Sequence, residues 1–318
     1  MIRIGIIGTD FSADLHTTAI LAGSAFEIVG CYDKDSRKSM LFARKYRLIS
    51  YSSFDALLNY AEVIDIASET PDTCLLAERS LKAFKHVLLS HPHLLSTQEI
   101  RYLAKLADES GVILQLGTKY NHSPVECLIK GLKHAPQTVQ INHLLNMVNG
   151  QTSIQCLKNE LLYDLFFMQN LLNANIAKID ITGLTEDEFQ VRIALDNGSL
   201  VSLNLSLEVE AKSTLTLRCS FPEMIVEADV FRSTASINYK EFDVVDSQEL
   251  EPYNERKICV NMLVELAVAI SEKSYLYALM NPQIQHFAAT DVIINYISQA
   301  KTLITPPSNS YRDLSRDE

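Results

Sequence analysis

The chain has 318 residues, 47% of them hydrophobic and 21% charged, which is enough for two soluble domains with a sizeable core. Its 28 basic residues against 39 acidic ones leave a net charge of −11, which argues against nucleic acid or an anionic membrane surface as main partner. The six cysteines are scattered without C-x-x-C pairs, so neither a zinc cluster nor a disulfide framework is indicated, and a reducing setting fits.

Residues 2–7, Ile-Arg-Ile-Gly-Ile-Ile, form a β-branched apolar run, the mark of a strand buried on both faces of a parallel sheet. That strand starts at residue 2 and no apolar run reaches membrane-spanning length, so a cytoplasmic protein without signal peptide is expected. Gly8 ends the strand. After a five-residue turn the pattern becomes helical, with Ala13, Leu15, Ala19, Ile20 and Leu21 apolar and Gly23 placed as the cap. A strand, a glycine turn and a helix opening a chain point free N–H groups and a partial positive charge at a pyrophosphate. The candidate phosphate loop is therefore Gly8, Thr9, Asp10, Phe11, Ser12 and Ala13. Against G-x-G-x-x-G/A, Gly8 and Ala13 match, but Asp10 replaces the middle glycine. An ionised Asp10 would repel a phosphate by roughly 4 kcal/mol at 4 Å and moderate dielectric. Three outcomes stay open: the acid turns outward, it is protonated, or the site binds dinucleotide weakly.

A second strand, 26–32, ends at Asp33, about 25 residues past Gly8, where an acid can hold the adenosine ribose hydroxyls. This position favours NAD over NADP, although Arg37 nearby keeps the phosphate-bearing form open. Asp33 could instead cap the helix over 36–46, a role also open to Asp35 or Ser36. The alternation continues with helix 53–60, strand 62–67, helix 72–84, strand 86–89, helix 96–109 with a Ser96/Glu99 capping box, and strand 112–116. Such alternation predicts an α/β domain on a doubly wound parallel sheet, with ligand across the carboxyl ends of its strands. Loops 8–13, 33–37, 68–71 and 90–92 share that edge, which adds Ser68, Thr70, Pro71 and Ser90 to the candidate cofactor site. The domain is expected to span residues 1–122.

After about residue 135 the pattern changes. A strand over 137–147 and a broadly apolar helix over 155–173 precede strands at 177–182, 190–195, 200–208, 214–218, 224–228 and 235–239, with a hairpin turn at Asp196-Asn197-Gly198-Ser199. Helices over 255–272 and 283–303 close the chain, and the tail from Pro306 is polar. Residues 123–318 thus read as an α+β domain on a mainly antiparallel open sheet. Leu200, Leu203, Leu205 and Leu207 give that sheet more apolar surface than its helices obviously cover, which predicts a homo-oligomer through this face. His16, His93, His122 and His143 show no metal-ligand spacing, and no G-x-S-x-G occurs, so no metal site and no serine chemistry are expected.

With both halves laid out, the chain resembles the Gfo/Idh/MocA family of glucose–fructose oxidoreductase and inositol dehydrogenase. The resemblance lies in Ile4–His16, the Thr-Pro loop at Ile66–Pro71, His86–Pro92 where the family writes H-V-L-x-E-K-P, Ala104–Pro124, the hairpin at 196–198 and the closing helix. It implies an NAD- or NADP-dependent dehydrogenase in which a lysine, an aspartate and a histidine serve the substrate hydroxyl. Here His91 stands in the lysine's place, Asp164 matches the aspartate, Met168 replaces the histidine, and Asn121 stands where an arginine is often found. Methionine cannot transfer a proton, whereas His91 can, having an ordinary pKa near 6.5. Asp164 could orient its imidazolium, or could pair with Lys119 beside the same site. Tyr163 offers a phenol that nothing in the sequence orients. Three readings follow: an oxidoreductase acting on a sugar, polyol or related small hydroxy compound, a catalytically silent regulator that binds dinucleotide or sugar, and a structural subunit without coenzyme.

Overall fold

The structure is a computed structural model that describes residues 1–146, 153–184, 188–208, 212–239, 244–272 and 286–295. Strands β1 (Ile2–Ile7), β2 (Phe26–Tyr32), β3 (Val63–Ile66), β4 (His86–Leu89) and β5 (Leu114–Leu116) form a five-stranded parallel sheet in the order β2-β1-β3-β4-β5. Helices α1 (Phe11–Ala22), α2 (Ser36–Tyr46), α3 (Phe54–Tyr60), α4 (Thr73–Lys82) and α5 (Thr97–Ser110) connect them. Because side chains alternate along a strand, the two faces divide cleanly. Ile4 and Ile6 of β1 pack with Ile20 of α1 and Phe42 of α2, while Ile7, Ile64 and Ile66 pack with Leu57 of α3, Leu76 of α4 and Ile100 of α5. The expected capping box at the start of α5 is present, with Ser96 and Glu99 satisfying each other's backbone N–H groups.

The second half contains α6 (Pro124–Lys130), β6 (Thr138–Asn146), α7 (Ser153–Leu172), β7 (Ile176–Leu184), β8 (Glu188–Leu195), β9 (Leu200–Glu208), β10 (Thr214–Ser220), β11 (Met224–Asp229), β12 (Thr234–Tyr239), β13 (Val244–Glu249) and α8 (Glu255–Glu272). Its eight strands run β13-β12-β11-β10-β6-β9-β8-β7. All neighbours are antiparallel except β6 and β9, which run parallel. The α/β plus α+β architecture is thus the one expected. Two elements go beyond the pattern: α6, a single short helix started by Pro124 behind its Ser123 cap, and β13, an edge strand of mostly polar residues. Of the closing helix expected over 283–303, residues 286–295 are described and helical; the rest, like the tail from Pro306, lies outside the described residues.

One expectation about packing needs correction. Leu203, Leu205 and Leu207 share one face of β9 and are buried inside the subunit with α7, so they leave no uncovered apolar sheet; Leu200, on the opposite face, is exposed. That opposite face carries Ser202, Asn204 and Ser206 and, on β6, Gln140 and Asn142, so the outer surface of this sheet is polar. The leucine argument for an oligomer therefore falls away. Helix α8 turns back and packs on α1, placing Met262, Leu263 and Leu266 in the same core as Ile4, Ile6 and Ala13. A helix from the chain's far end covers one face of the first sheet and closes part of its ligand edge.

Among the described residues no helix is long and apolar enough to cross a membrane. Helix α7 is the pivot between the halves: Phe167 is completely buried in it, edge-on to Tyr120 at 6.2 Å between ring centroids. We predict that Phe167→Ala lowers unfolding free energy by about 3–5 kcal/mol in a urea titration. A loss below about 1 kcal/mol would mean that the site collapses freely and that α7 does not carry the core.

Candidate functional site

In a sheet of this order the ligand edge lies at the carboxyl ends of β1 and β3, where the chain connections depart in opposite directions. Gly8 turns the chain there at φ +104°, and a Cβ on it would lie 1.8 Å from Ser68 Oγ, so only glycine lets the loops after β1 and β3 meet. Asp10 follows as the N-cap of α1, its Oδ1 accepting from the N–H groups of Ser12 at 3.0 Å and Ala13 at 3.1 Å. This cap starts the helix at Phe11, earlier than the apolar pattern suggested, because the carboxylate satisfies two of the helix's four orphan donors. The acid therefore turns onto the helix end and not outward. It occupies the donors that a pyrophosphate would use.

Two clefts open from this edge and share Asp10. The larger, about 910 Å³, is lined by Gly8, Thr9, Asp10, Asp33, Ser68 and Thr70 among others. Asp33 accepts from Thr9 Oγ1 at 2.7 Å and from the N–H of Asp35 at 2.8 Å. Asp35, not Asp33, caps α2 through the N–H groups of Arg37 and Lys38, so Asp33 stays at the cleft wall. The cations lining this cleft are Lys34, Lys38, Lys45 and Arg79. Arg37 does not line it; nor do Ala13, which is buried, or Pro71, which is exposed.

The second cleft, about 470 Å³, takes Phe11, Ser12, Ser90, His91 and Lys119 from the expected set and adds Glu69, Tyr163 and residues of α8. His91 donates from Nε2 to the Ala67 carbonyl at 2.9 Å, which leaves Nδ1 3.6 Å from Glu69 Oε1. Burial lowers the His91 pKa against the pull of Glu69. Pro92 opens a short 3-10 turn, Pro92–Leu94, that brings the His93 ring edge-on to His91, with centroids 5.7 Å apart. His93 Nε2 lies 3.4 Å from the same Glu69 oxygen and its Nδ1 lies 3.1 Å from Tyr163 Oη. Burial pushes the His93 pKa down to about 3.

Asp164 does not reach this cleft. It is fully buried on α7 with both carboxylate oxygens within 3.0 Å of His143 Nδ1 on β6, so it neither orients His91 nor pairs with Lys119. Burial raises its pKa despite that partner. Lys119 pairs instead with Glu160, one helical turn earlier, and its Nζ stands 4.7 Å from the centroid of the Tyr163 ring. Burial would raise the Glu160 pKa, but the Lys119 ammonium and the Tyr120 hydroxyl hold it below the ordinary value. Met168 is core filling. Three contributors escaped the sequence reading: Glu69, His93 and Glu160. Only the His-Pro-His run at 91–93 carries a local signal, and it becomes visible once Pro92 is read as a turn.

Beneath the second cleft His16 of α1 bonds Asp65 of β3, Nδ1 to Oδ2, at 2.8 Å, and Ser90 Oγ donates to the other Asp65 oxygen at 3.4 Å. Burial alone would lower the His16 pKa, but the Asp65 carboxylate and then the Cys259 sulfur from α8 raise it well above 6.5.

A five-stranded parallel sheet carrying a glycine-turn edge is followed along the chain by a large, mostly antiparallel sheet. Residues 2–118 match the profile described as "Oxidoreductase family, NAD-binding Rossmann fold". A UDP-N-acetylglucosamine 3-dehydrogenase of Acidithiobacillus ferrooxidans is 22% identical over 244 residues, 75% of this chain and 77% of that protein. Its solved structure superposes with a TM-score of 0.80 at 19% identity, covering 94% of this chain and 98% of the other. A glucose-6-phosphate 3-dehydrogenase of Bacillus subtilis is 30% identical over 135 residues, 42% of this chain and 38% of that one. A levoglucosan dehydrogenase solved with NADH and levoglucosan has a TM-score of 0.79 at 14% identity, covering 94% and 97% of the two chains.

The raised His16 pKa has a consequence for stability. Unfolded histidine titrates near 6.5, so the folded state binds the extra proton between that value and the raised one. The stabilisation is complete below about pH 6.5 and is lost as pH rises through the folded value. The groups facing His16 are Asp65, Cys259 and, more distantly, His91. Unfolding free energy measured above pH 6.5 should fall by at most about 1.4 kcal/mol per pH unit on this account, and Asp65→Asn should flatten the slope. An unchanged slope in Asp65→Asn would assign it to other groups.

Proposed function

We propose that this protein is an NAD(P)-dependent oxidoreductase acting on the CH–OH group of a sugar, polyol or related small hydroxy compound. The observation that carries the reading is the pair of adjoining clefts, one walled by Asp33 and the other by the unprotonated Nδ1 of His91. Two relatives are named as 3-dehydrogenases of sugar compounds and a third was solved with levoglucosan, which supports a sugar-like substrate.

The larger cleft has the volume of a ligand site and an acid placed for ribose hydroxyls. Only the Asp10 cap competes with the coenzyme. Asp10 is exposed, so its carboxylate has room to swing off the helix. Losing that cap costs about 1 kcal/mol, close to a fivefold loss of affinity. The Asp33 carboxylate favours NAD, while Lys34 and Lys38 at the rim leave room for the NADP phosphate. When bound, the coenzyme supplies the nicotinamide carbon that exchanges a hydride with substrate. His91 takes the hydroxyl proton at Nδ1, and burial keeps the ring neutral and ready to accept it. Glu69 then faces the imidazolium, and Lys119, held by Glu160, offers a cation to the substrate oxygen.

A second reading has its own support. The carboxylate on the α1 donors, the diversion of Asp164 to His143 and the burial of Met168 favour a silent family member that binds ligand without turnover. Calorimetric titration with NADH and NADPH separates the two when combined with a substrate panel. We expect Asp10→Gly to bind NADH at least fivefold tighter than the natural chain. We expect His91→Ala to keep coenzyme affinity and lose at least about a hundredfold in turnover. No heat with either coenzyme, in the natural chain and in Asp10→Gly alike, removes the redox reading; binding without turnover on any sugar supports the silent one.

A further inference from the structure

Three electron-rich atoms converge where the loops after β3 and β4 meet. Glu69 Oε1 lies 3.6 Å from His91 Nδ1 and 3.4 Å from His93 Nε2, and all three atoms fall within 4.8 Å of one another. Neither imidazole has a proton to offer at that point. A neutral ring carries one N–H, and His91 commits it to the Ala67 carbonyl. The Tyr163 hydroxyl donates to the Ser90 carbonyl at 3.3 Å, so its oxygen accepts the Nδ1–H of His93 and leaves Nε2 bare. The His93 side chain is only 4% exposed, and its Nε2 makes no hydrogen bond among the described residues. Two lone pairs held against a carboxylate are unfavourable unless a cation stands between them.

We propose that Glu69, His91 and His93 bind one divalent first-row transition ion of the zinc type, with a fourth position open to the cleft for an oxygen ligand. An ion holding imidazole and carboxylate at about 2.1 Å in tetrahedral geometry sets its donors about 3.4 Å apart, close to the 3.6 Å and 3.4 Å that separate Glu69 Oε1 from the two imidazole nitrogens. The bonds from His91 to Ala67 and from His93 to Tyr163 are outer-shell contacts of the kind that fix a ligand ring's tautomer and orientation. The Lys119 charge nearby is balanced by Glu160. A loaded site takes the His91 lone pair, so His91 accepts no proton there. The acid becomes the oxygen ligand, a water or a substrate hydroxyl, whose acidity the ion raises. The site goes beyond the oxidoreductase reading and does not depend on it, since the ion needs no dinucleotide.

The test uses the full chain stripped with a chelator, titrated with Zn2+ against a chromophoric competitor and separately with Co2+ followed by visible absorption. One ion per chain is expected, with Co2+ bands of tetrahedral intensity, and Glu69→Gln and His93→Gln should each weaken Zn2+ binding at least tenfold. Glu69 is half exposed, so its substitution leaves folding untouched and the comparison holds even where His93→Gln fails to fold. Zn2+ binding by the natural chain no tighter than by Glu69→Gln overturns the site. Parallel titrations with NADH and NADPH, on the natural chain and on Asp10→Gly, keep the two conclusions apart: ion binding without coenzyme binding in either protein supports this site while removing the redox reading, and coenzyme binding without ion binding overturns this site and leaves the redox reading standing.

Discussion

The amides of Ser12 and Ala13 at the start of α1 serve one anion at a time, and in this protein the Asp10 carboxylate already sits on both. That contact links the chain's first turn to everything downstream. It sets where α1 begins, shapes the wall shared by the two clefts, and sets the free energy a pyrophosphate must displace. A glycine at this position would leave the helix end open to solvent and ligand. An aspartate stabilises the ligand-free fold and taxes the ligand-bound one, by an amount near a single cap.

The second cleft is an assembly of distant segments. Loops after β3 and β4 give Glu69 and His91, with His93 edge-on behind His91, α7 gives Tyr163, and α8 turns back to close the far side. Burial dominates its electrostatics. Histidines 91 and 93 are held neutral because no carboxylate compensates their desolvation fully, whereas His16, bonded directly to Asp65, is pushed the other way. Similar imidazoles a few residues or one strand apart therefore end with opposite charge preferences. The lysine–aspartate–histidine arrangement that the resemblance implies is not the one found: Asp164 is tied to His143 inside the core, and an imidazole, His91, stands at the lysine's place.

Much of this was legible before any coordinates. The β-branched run at Ile2–Ile7, Gly8, Asp33 after the second strand and the Ser96/Glu99 box are local signals, and each fell where its residue chemistry demands. The leucines of β9 were misjudged because a strand's alternation tells that one side is apolar but not which helix covers it. Placing Asp164 at the catalytic centre failed for a related reason. A fully buried acid must find the nearest complementary group, and His143, 21 residues earlier on β6, could not be identified from spacing.

What the amino-acid order determined by itself was periodicity, capping and turn chemistry: a doubly wound parallel sheet, an acid in the phosphate loop, an antiparallel sheet after it. These depend on contacts within a few residues, so they are written in the chain. The tertiary structure alone decided that α8 packs on α1, that Asp164 meets His143, and that Glu69 meets two histidines more than twenty residues away. Those contacts arise from how layers close over one another, and burial then assigns each ionisable group the partner and the charge it keeps.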